Sequence, residues 1–93
     1  MTHGKFELGQ LVITPGAKEA IGTEHLAELL AAIFEKHRNG DWGDLGEEDK
    51  RNNDEALETG DRILSAYNIG DTRIWIITEY DRSATTVLLT DEY

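Results

Sequence analysis

His37, Asp41 and Asp44 fall within eight positions of one another, and the two aspartates flank Trp42. An imidazole and two carboxylates that converged could hold a divalent cation or relay a proton, because both tasks need nitrogen and anionic oxygen around one centre. The plainer reading is that His37 ends a helix and meets its last carbonyls, while Asp41 and Asp44 cap turns and Trp42 anchors the loop. Ser65, Ser83, Thr85 and Thr86 offer hydroxyls for nucleophilic chemistry. Against that, His3, His25 and His37 all lie in the N-terminal part, and none sits in a nucleophile motif. Gly4, Gly9, Gly16 and Gly22 have neither the P-loop nor the dinucleotide-binding spacing. The expectation is a chain without catalytic residues, metal or cofactor.

The stronger chemical signal is electrostatic. Between residues 41 and 61 stand nine of the nineteen acidic side chains and only two basic ones, a local charge of −7 in a total of −10. Residues 1–40 carry −1 and residues 62–93 carry −2. An acidic block of this kind suits a basic partner surface, such as the groove of a nucleic-acid-binding protein. Carboxylates on successive helical turns, ~5–6 Å apart, approximate the run of phosphates along a DNA strand. The candidate partner-binding residues are Asp41, Asp44, Glu47, Glu48, Asp54, Glu55, Glu58 and Asp61, with Lys50 and Arg51 interrupting the pattern. Direct binding to nucleic acid is disfavoured by the same charge, whose self-repulsion should make stability rise with salt. A solvated face is the bland alternative.

Several elements must position these residues. Leu8 to Thr14 reads as a strand stopped by Pro15-Gly16, and a short helical turn is expected at Ala17 to Ile21. After Gly22, Thr23 is a good N-cap for a helix in which Leu26, Leu29, Leu30, Ile33, Phe34 and His37 share one face. Asn39-Gly40 stops it. A glycine-punctuated loop leads to a second helix, Glu47 to Thr59, with Gly60 at its end. Only Ala56 and Leu57 give that helix anything apolar to bury, and Arg51 is placed to pair with Glu47 and Glu55. Arg62 to Ile69 and Thr72 to Glu79 form a hairpin about Gly70-Asp71, and Thr85 to Thr90 follows as a third adjacent strand. The middle strand is apolar on both alternations, so Trp75 and Tyr67 form a possible secondary recognition patch if helices cover one face only. The fold expected is α+β, order β-α-α-β-β-β, with the amphipathic helix on a mostly antiparallel sheet.

With 93 residues, 39% hydrophobic and 30% charged, the chain suits one small globular domain over residues 1–93. It has no cysteine, so no disulfide or thiolate metal site can staple it, which fits a reducing cytoplasm. Met1-Thr2-His3-Gly4-Lys5 lacks the apolar stretch of a secretion signal, and no run approaches a membrane span.

Leu8-Gly-Gln-Leu-Val-Ile-Thr-Pro-Gly-Ala17, His37-Arg-Asn-Gly-Asp-Trp-Gly-Asp-Leu45, Ser65-Ala-Tyr67 and Ile74-Trp-Ile-Ile-Thr-Glu-Tyr-Asp-Arg-Ser-Ala-Thr-Thr86 together cover much of the chain. These segments resemble a family of small, largely uncharacterised bacterial proteins carried on plasmids, phages and other mobile elements. Members are sometimes labelled plasmid-related, or as a type I restriction methylation subunit. The second label does not suit this sequence, which is too short for a methyltransferase domain and has Pro15 as its only proline, so it lacks an Asn/Asp-Pro-Pro-Tyr/Phe motif. The resemblance implies no catalytic residues. Small, acidic, cysteine-free mobile-element proteins include inhibitors of host defence, anti-CRISPR and anti-restriction, several of which imitate DNA electrostatically. The implied partner is a nucleic-acid-binding protein subunit of a CRISPR effector or restriction complex. The alternatives are an accessory interaction protein using the Trp75/Tyr67 face, or a small metal-dependent enzyme built on His37, Asp41 and Asp44.

Overall fold

The computed structural model describes residues 4–93; His3 lies outside them. The elements in chain order are β1 (Gln10–Ile13), α1 (Pro15–Ile21), α2 (Leu26–Arg38), α3 (Glu47–Thr59), β2 (Ile63–Ile69), β3 (Thr72–Thr78) and β4 (Ala84–Leu89), closed by a 3-10 turn (Thr90–Glu92). The fold is α+β, as expected, with one more helix than expected. Pro15–Ile21 is a seven-residue helix where only a turn was foreseen. Pro at its first position has φ preset for a helix, and the Thr14 hydroxyl accepts the Ala17 amide at 3.1 Å. Thr23 does not cap α2; that helix begins at Leu26 with His25 before it, without a side-chain cap.

The sheet order is β1-β4-β3-β2. β2, β3 and β4 are antiparallel neighbours, and β1 joins β4 in parallel, so the sheet is mostly antiparallel. Gly70, at φ 61°, lets the hairpin turn in two residues with Ile69 opposite Thr72. The register places Tyr67, Ile74 and Leu89 in one row and Ser65, Ile76 and Val87 in the next, on one face. Ala17 of α1 and Ile33 of α2 pack on that face against Tyr67, Ile74, Ile76 and Val87, with Leu30 and Phe34 at the margin. A second apolar cluster joins Trp42, Ala56 and Ile63, flanked by Phe6, Leu45 and Leu57. The amphipathic helix thus packs as its periodicity implies. Trp75 occupies the opposite face, where Tyr93 meets it edge-on at 5.6 Å.

The acidic helix α3 has little apolar surface, and polar anchors hold it instead. Asn53, buried on its inner face, donates from Nδ2 to the Leu64 carbonyl at 2.6 Å and accepts the Leu64 amide on Oδ1 at 3.1 Å. The side-chain amide therefore substitutes for a neighbouring strand on the outer edge of β2. Trp42 Nε1 donates to Asp54 at 3.0 Å, and Arg82 donates to the Ala56 carbonyl at 3.1 Å near the helix C-terminus. Cationic guanidinium suits that negative end of the dipole. Replacing Asn53 by Ala would orphan both the N–H and the C=O of Leu64. The expected loss is about 2–4 kcal/mol of unfolding free energy, at roughly 1–3 kcal/mol per unsatisfied buried group. Urea denaturation of Asn53→Ala against the parent checks it, and a loss below measurement error would show that the pair does not anchor α3.

Candidate interaction surface

The loop leading into α3 crosses the outer edge of β2. Ala66 donates to the Trp42 carbonyl at 3.1 Å, and Asp44 donates to the Ala66 carbonyl at 2.7 Å, so residues 42–44 run beside β2 as a one-bridge strand centred on Gly43. Gly43 is required twice over. Its φ is +75°, and a Cβ there would stand 1.9 Å from the Ala66 carbonyl oxygen. Trp42 is thereby turned inward against Phe6 and His37, while Asp44 reaches the other side of the strand. Asp44 Oδ2 accepts from Asn68 at 3.1 Å and from Arg73 at 2.9 Å. Those hydrogen bonds, Asn68's first, hold its carboxyl below the usual aspartate range.

All eight sequence-predicted partner-binding residues are exposed: Asp41, Asp44, Glu47, Glu48, Asp54, Glu55, Glu58 and Asp61. They line one side of α3 and its two flanks, because Asn53 and Ala56 turn the opposite side to the sheet. Asp41 accepts the Gly43 amide at 3.2 Å, Asp54 holds Trp42, and Asp61 accepts from Thr59 at 2.9 Å. Arg51 does not pair with Glu47 or Glu55 as its spacing allows: among the described residues, Asp44 with Arg73 is the one ion pair made by any carboxylate in residues 41–61. Glu47, Glu48, Glu55 and Glu58 are uncompensated. Asn53, Gly43 and Arg82, which position this surface, were not singled out by sequence reasoning. Asn53 did leave a signal, since it lies three and four residues before Ala56 and Leu57, on the same helical face.

His37, Asp41 and Asp44 do not converge. His37 is fully buried, whereas Asp41 and Asp44 face solvent and make the contacts just described. Among the described residues no group of three His, Asp or Glu side chains is placed to hold a metal ion. Nor does His37 turn back to its helix carbonyls. Its Nδ1 lies 2.5 Å from Ser65 Oγ and its Nε2 2.8 Å from Thr78 Oγ1; Thr78 Oγ1 lies 2.7 Å from Thr85 Oγ1, which donates to the Leu8 carbonyl at 2.7 Å. The last link sets the direction of the others. Thr85 spends its proton on Leu8, so it accepts from Thr78; Thr78 then accepts from His37 Nε2–H, and Nδ1 accepts from Ser65. The imidazole is neutral, with its proton on Nε2. Ser65 and Thr85, considered as nucleophiles from sequence, are buried members of this chain and have no substrate access.

Tyr67 and Trp75 do not form a patch. Tyr67 pairs with Ile74 and Trp75 with Ala66, which puts the two rings on opposite faces of the sheet. Tyr67 is buried and donates its hydroxyl to the Asp41 carbonyl. Burial pushes its phenol up to about 12. The two-residue turn at Gly70-Asp71 already implied this parity, since residues whose numbers sum to 141 pair across it.

No family model, curated protein or solved structure matches the chain. Among the described residues no helix is long and apolar enough to cross a membrane.

Burial, helped by the positive charge of Arg82, lowers the His37 pKa from 6.5 to about 3. Between those values the unfolded chain binds a proton that the folded chain refuses, so this histidine costs stability as pH falls from about 6.5 towards 3. From pH 7 to pH 5 the expected loss is on the order of 2 kcal/mol, at about 1.4 kcal/mol per pH unit below the unfolded value. Urea midpoints at the two pH values check it. His37→Leu should be less stable at pH 7 and should lack this component of the pH dependence; an equal slope in both proteins would rule out the buried neutral imidazole.

Proposed function

We propose that this chain is a non-enzymatic inhibitor of a host defence nuclease complex, most specifically an anti-CRISPR, acting in the bacterial cytoplasm. It occupies a DNA-binding surface on a nucleic-acid-binding subunit of a CRISPR effector or restriction complex. The observation that carries this reading is the uncompensated acidic face: eight exposed carboxylates on one helix and its flanks, with Asp44 alone in an ion pair. The 13 residues of α3 extend roughly 20 Å at 1.5 Å each, a length comparable to about six base pairs of duplex at 3.4 Å. A groove lined with Lys and Arg gains from this face the counterion release and steering it gains from DNA. The anchoring supports the reading too, because charges held on a docked helix do not have to be ordered on binding.

Changing Glu48, Glu55 and Glu58 together to Lys tests the proposal. None of the three contributes an ion pair or a buried contact, so circular dichroism and the thermal transition should show a folded protein. Inhibition of the target nuclease should be abolished, and capture of its DNA-binding subunit should be lost. Capture by the parent should be released by salt and by competing duplex DNA; full inhibition by the triple variant would dismiss mimicry.

A second reading, an accessory protein using the sheet face, has one observation in its favour. Trp75 Nε1 is buried without a hydrogen-bond partner beneath the exposed Tyr93, with Arg62 over the Tyr93 ring at 5.3 Å. Capture of a partner that survives high salt and is lost in Trp75→Ala would favour it.

A further inference from the structure

The two edges of the sheet are treated differently. At β2 the outward-facing groups of Leu64 and Ala66 are satisfied, Leu64 by Asn53, and Ala66 by Trp42 and Asp44. At β1 the pairing with β4 uses the amides of Gln10 and Thr14, bonded to Ser83 and Val87, and by the alternation of a parallel ladder that of Val12 between them. The N–H and C=O of Leu11 and Ile13 therefore point away from the sheet. Shortness, at four residues, is the one usual edge protection β1 shows among the described residues. The strand Gln10-Leu-Val-Ile13 has no charge, no proline and no bulge, and Leu11 and Val12 are 52% and 38% exposed. Beside it lies a groove of about 340 Å³ lined by Leu11, Ile13, Ala27, Leu30, Ala31 and Phe34, with no charged side chain.

We propose that this edge is a homodimer interface, in which β1 pairs antiparallel with β1 of a second copy about a twofold axis through Val12. Free backbone groups call for a strand, and this strand is complementary to itself. With Val12 opposite Val12 of its mate, Leu11 and Ile13 stand opposite one another in hydrogen-bonded positions, and four inter-strand bonds form. An axis normal to the sheet keeps both helical layers on one side, so the α2 faces carrying Ala27, Leu30, Ala31 and Phe34 meet over the junction. Charge selects the same arrangement. A chain of net charge −10 can join its own copy only where the acidic segments stay apart, and β1 is the strand farthest from β2, on which α3 is anchored. In the resulting eight-stranded sheet the two β2 strands are seven spacings apart, roughly 34 Å at about 4.8 Å each. That exceeds the Debye length of about 10 Å at 0.1 M salt severalfold. The dimer would present an acidic helix at each end. It does not depend on what those helices bind.

Sedimentation velocity of the whole chain from micromolar to millimolar concentration, combined with hydrogen exchange, is the test. The parent should move from 10.4 kDa to twice that mass as concentration rises, more readily at higher salt. The Leu11 and Ile13 amides should become protected in step with the mass. Leu11→Lys puts a charge on an already exposed edge position and should raise the dissociation constant about tenfold or more with the fold intact. Glu55→Lys, on the far side, should not weaken dimerisation. A parent that remains monomeric throughout, or a dimer whose Leu11 and Ile13 amides exchange freely, would overturn the proposal. So would protection of those amides only when a captured partner complex is added, which would assign the edge to that partner.

Discussion

The structure turns on the backbone groups at the outer edge of β2, and above all on the two hydrogen bonds between the Asn53 side-chain amide and Leu64. A sheet edge needs partners for its N–H and C=O groups wherever water is excluded. A helix that carries Glu47, Glu48, Asp54, Glu55 and Glu58 has almost no apolar stripe with which to dock. Asn53 answers both needs at once. It closes the edge as a strand would, and it fixes the helix so that Ala56 and Leu57 meet Trp42 and Ile63 while the carboxylates face solvent. The bridge at Gly43 extends the same solution by one residue pair and steers Trp42 inward beneath α3.

A second polar device lies within the core. His37, Ser65, Thr78 and Thr85 form a one-way chain of hydrogen bonds across α2, β2, β3 and β4, ending on the Leu8 carbonyl. Every member is satisfied, which is the condition under which buried polar groups specify a structure at little cost in stability. Because each donor has one acceptor, the chain also selects among registers: sliding β3 by one residue would turn Thr78 away from both His37 and Thr85. A histidine that ends an amphipathic helix thus serves as a junction between the helix and three strands.

Electrostatics and edge geometry divide the molecule into two ends. At the β2 end, the local charge of −7 opposes close approach of another acidic body and favours a basic one. At the β1 end the strand is uncharged, the adjoining groove is apolar, and the N–H and C=O of Leu11 and Ile13 point away from the sheet. The two surfaces are separated by the width of the sheet, so each can be occupied without the other. The proposed inhibitor would use the charged face at one end, and the proposed dimer would use the uncharged edge at the other.

Local patterns determined much of this protein. The periodicity of Leu26 to His37, the hairpin at Gly70-Asp71, the strand runs and the clustering of acids between residues 41 and 61 are all encoded within a few residues of one another, and propensity and pattern act over that range. Even the separation of Tyr67 from Trp75 was implicit in the turn. What only tertiary structure decided was whatever depends on meeting across the chain. The parallel pairing of β1 with β4, 74 positions apart from Gln10 to Ala84, has no local signature. His37 could have been a ligand with Asp41 and Asp44 by spacing alone, yet helix phase points it at Ser65 and Thr78 and leaves the aspartates on the far side of the chain's turn. Asn53 looked like one more polar residue on a polar helix. Its role exists only because β2 runs past it with a free amide and a free carbonyl at hydrogen-bonding distance, a condition set by long-range contacts.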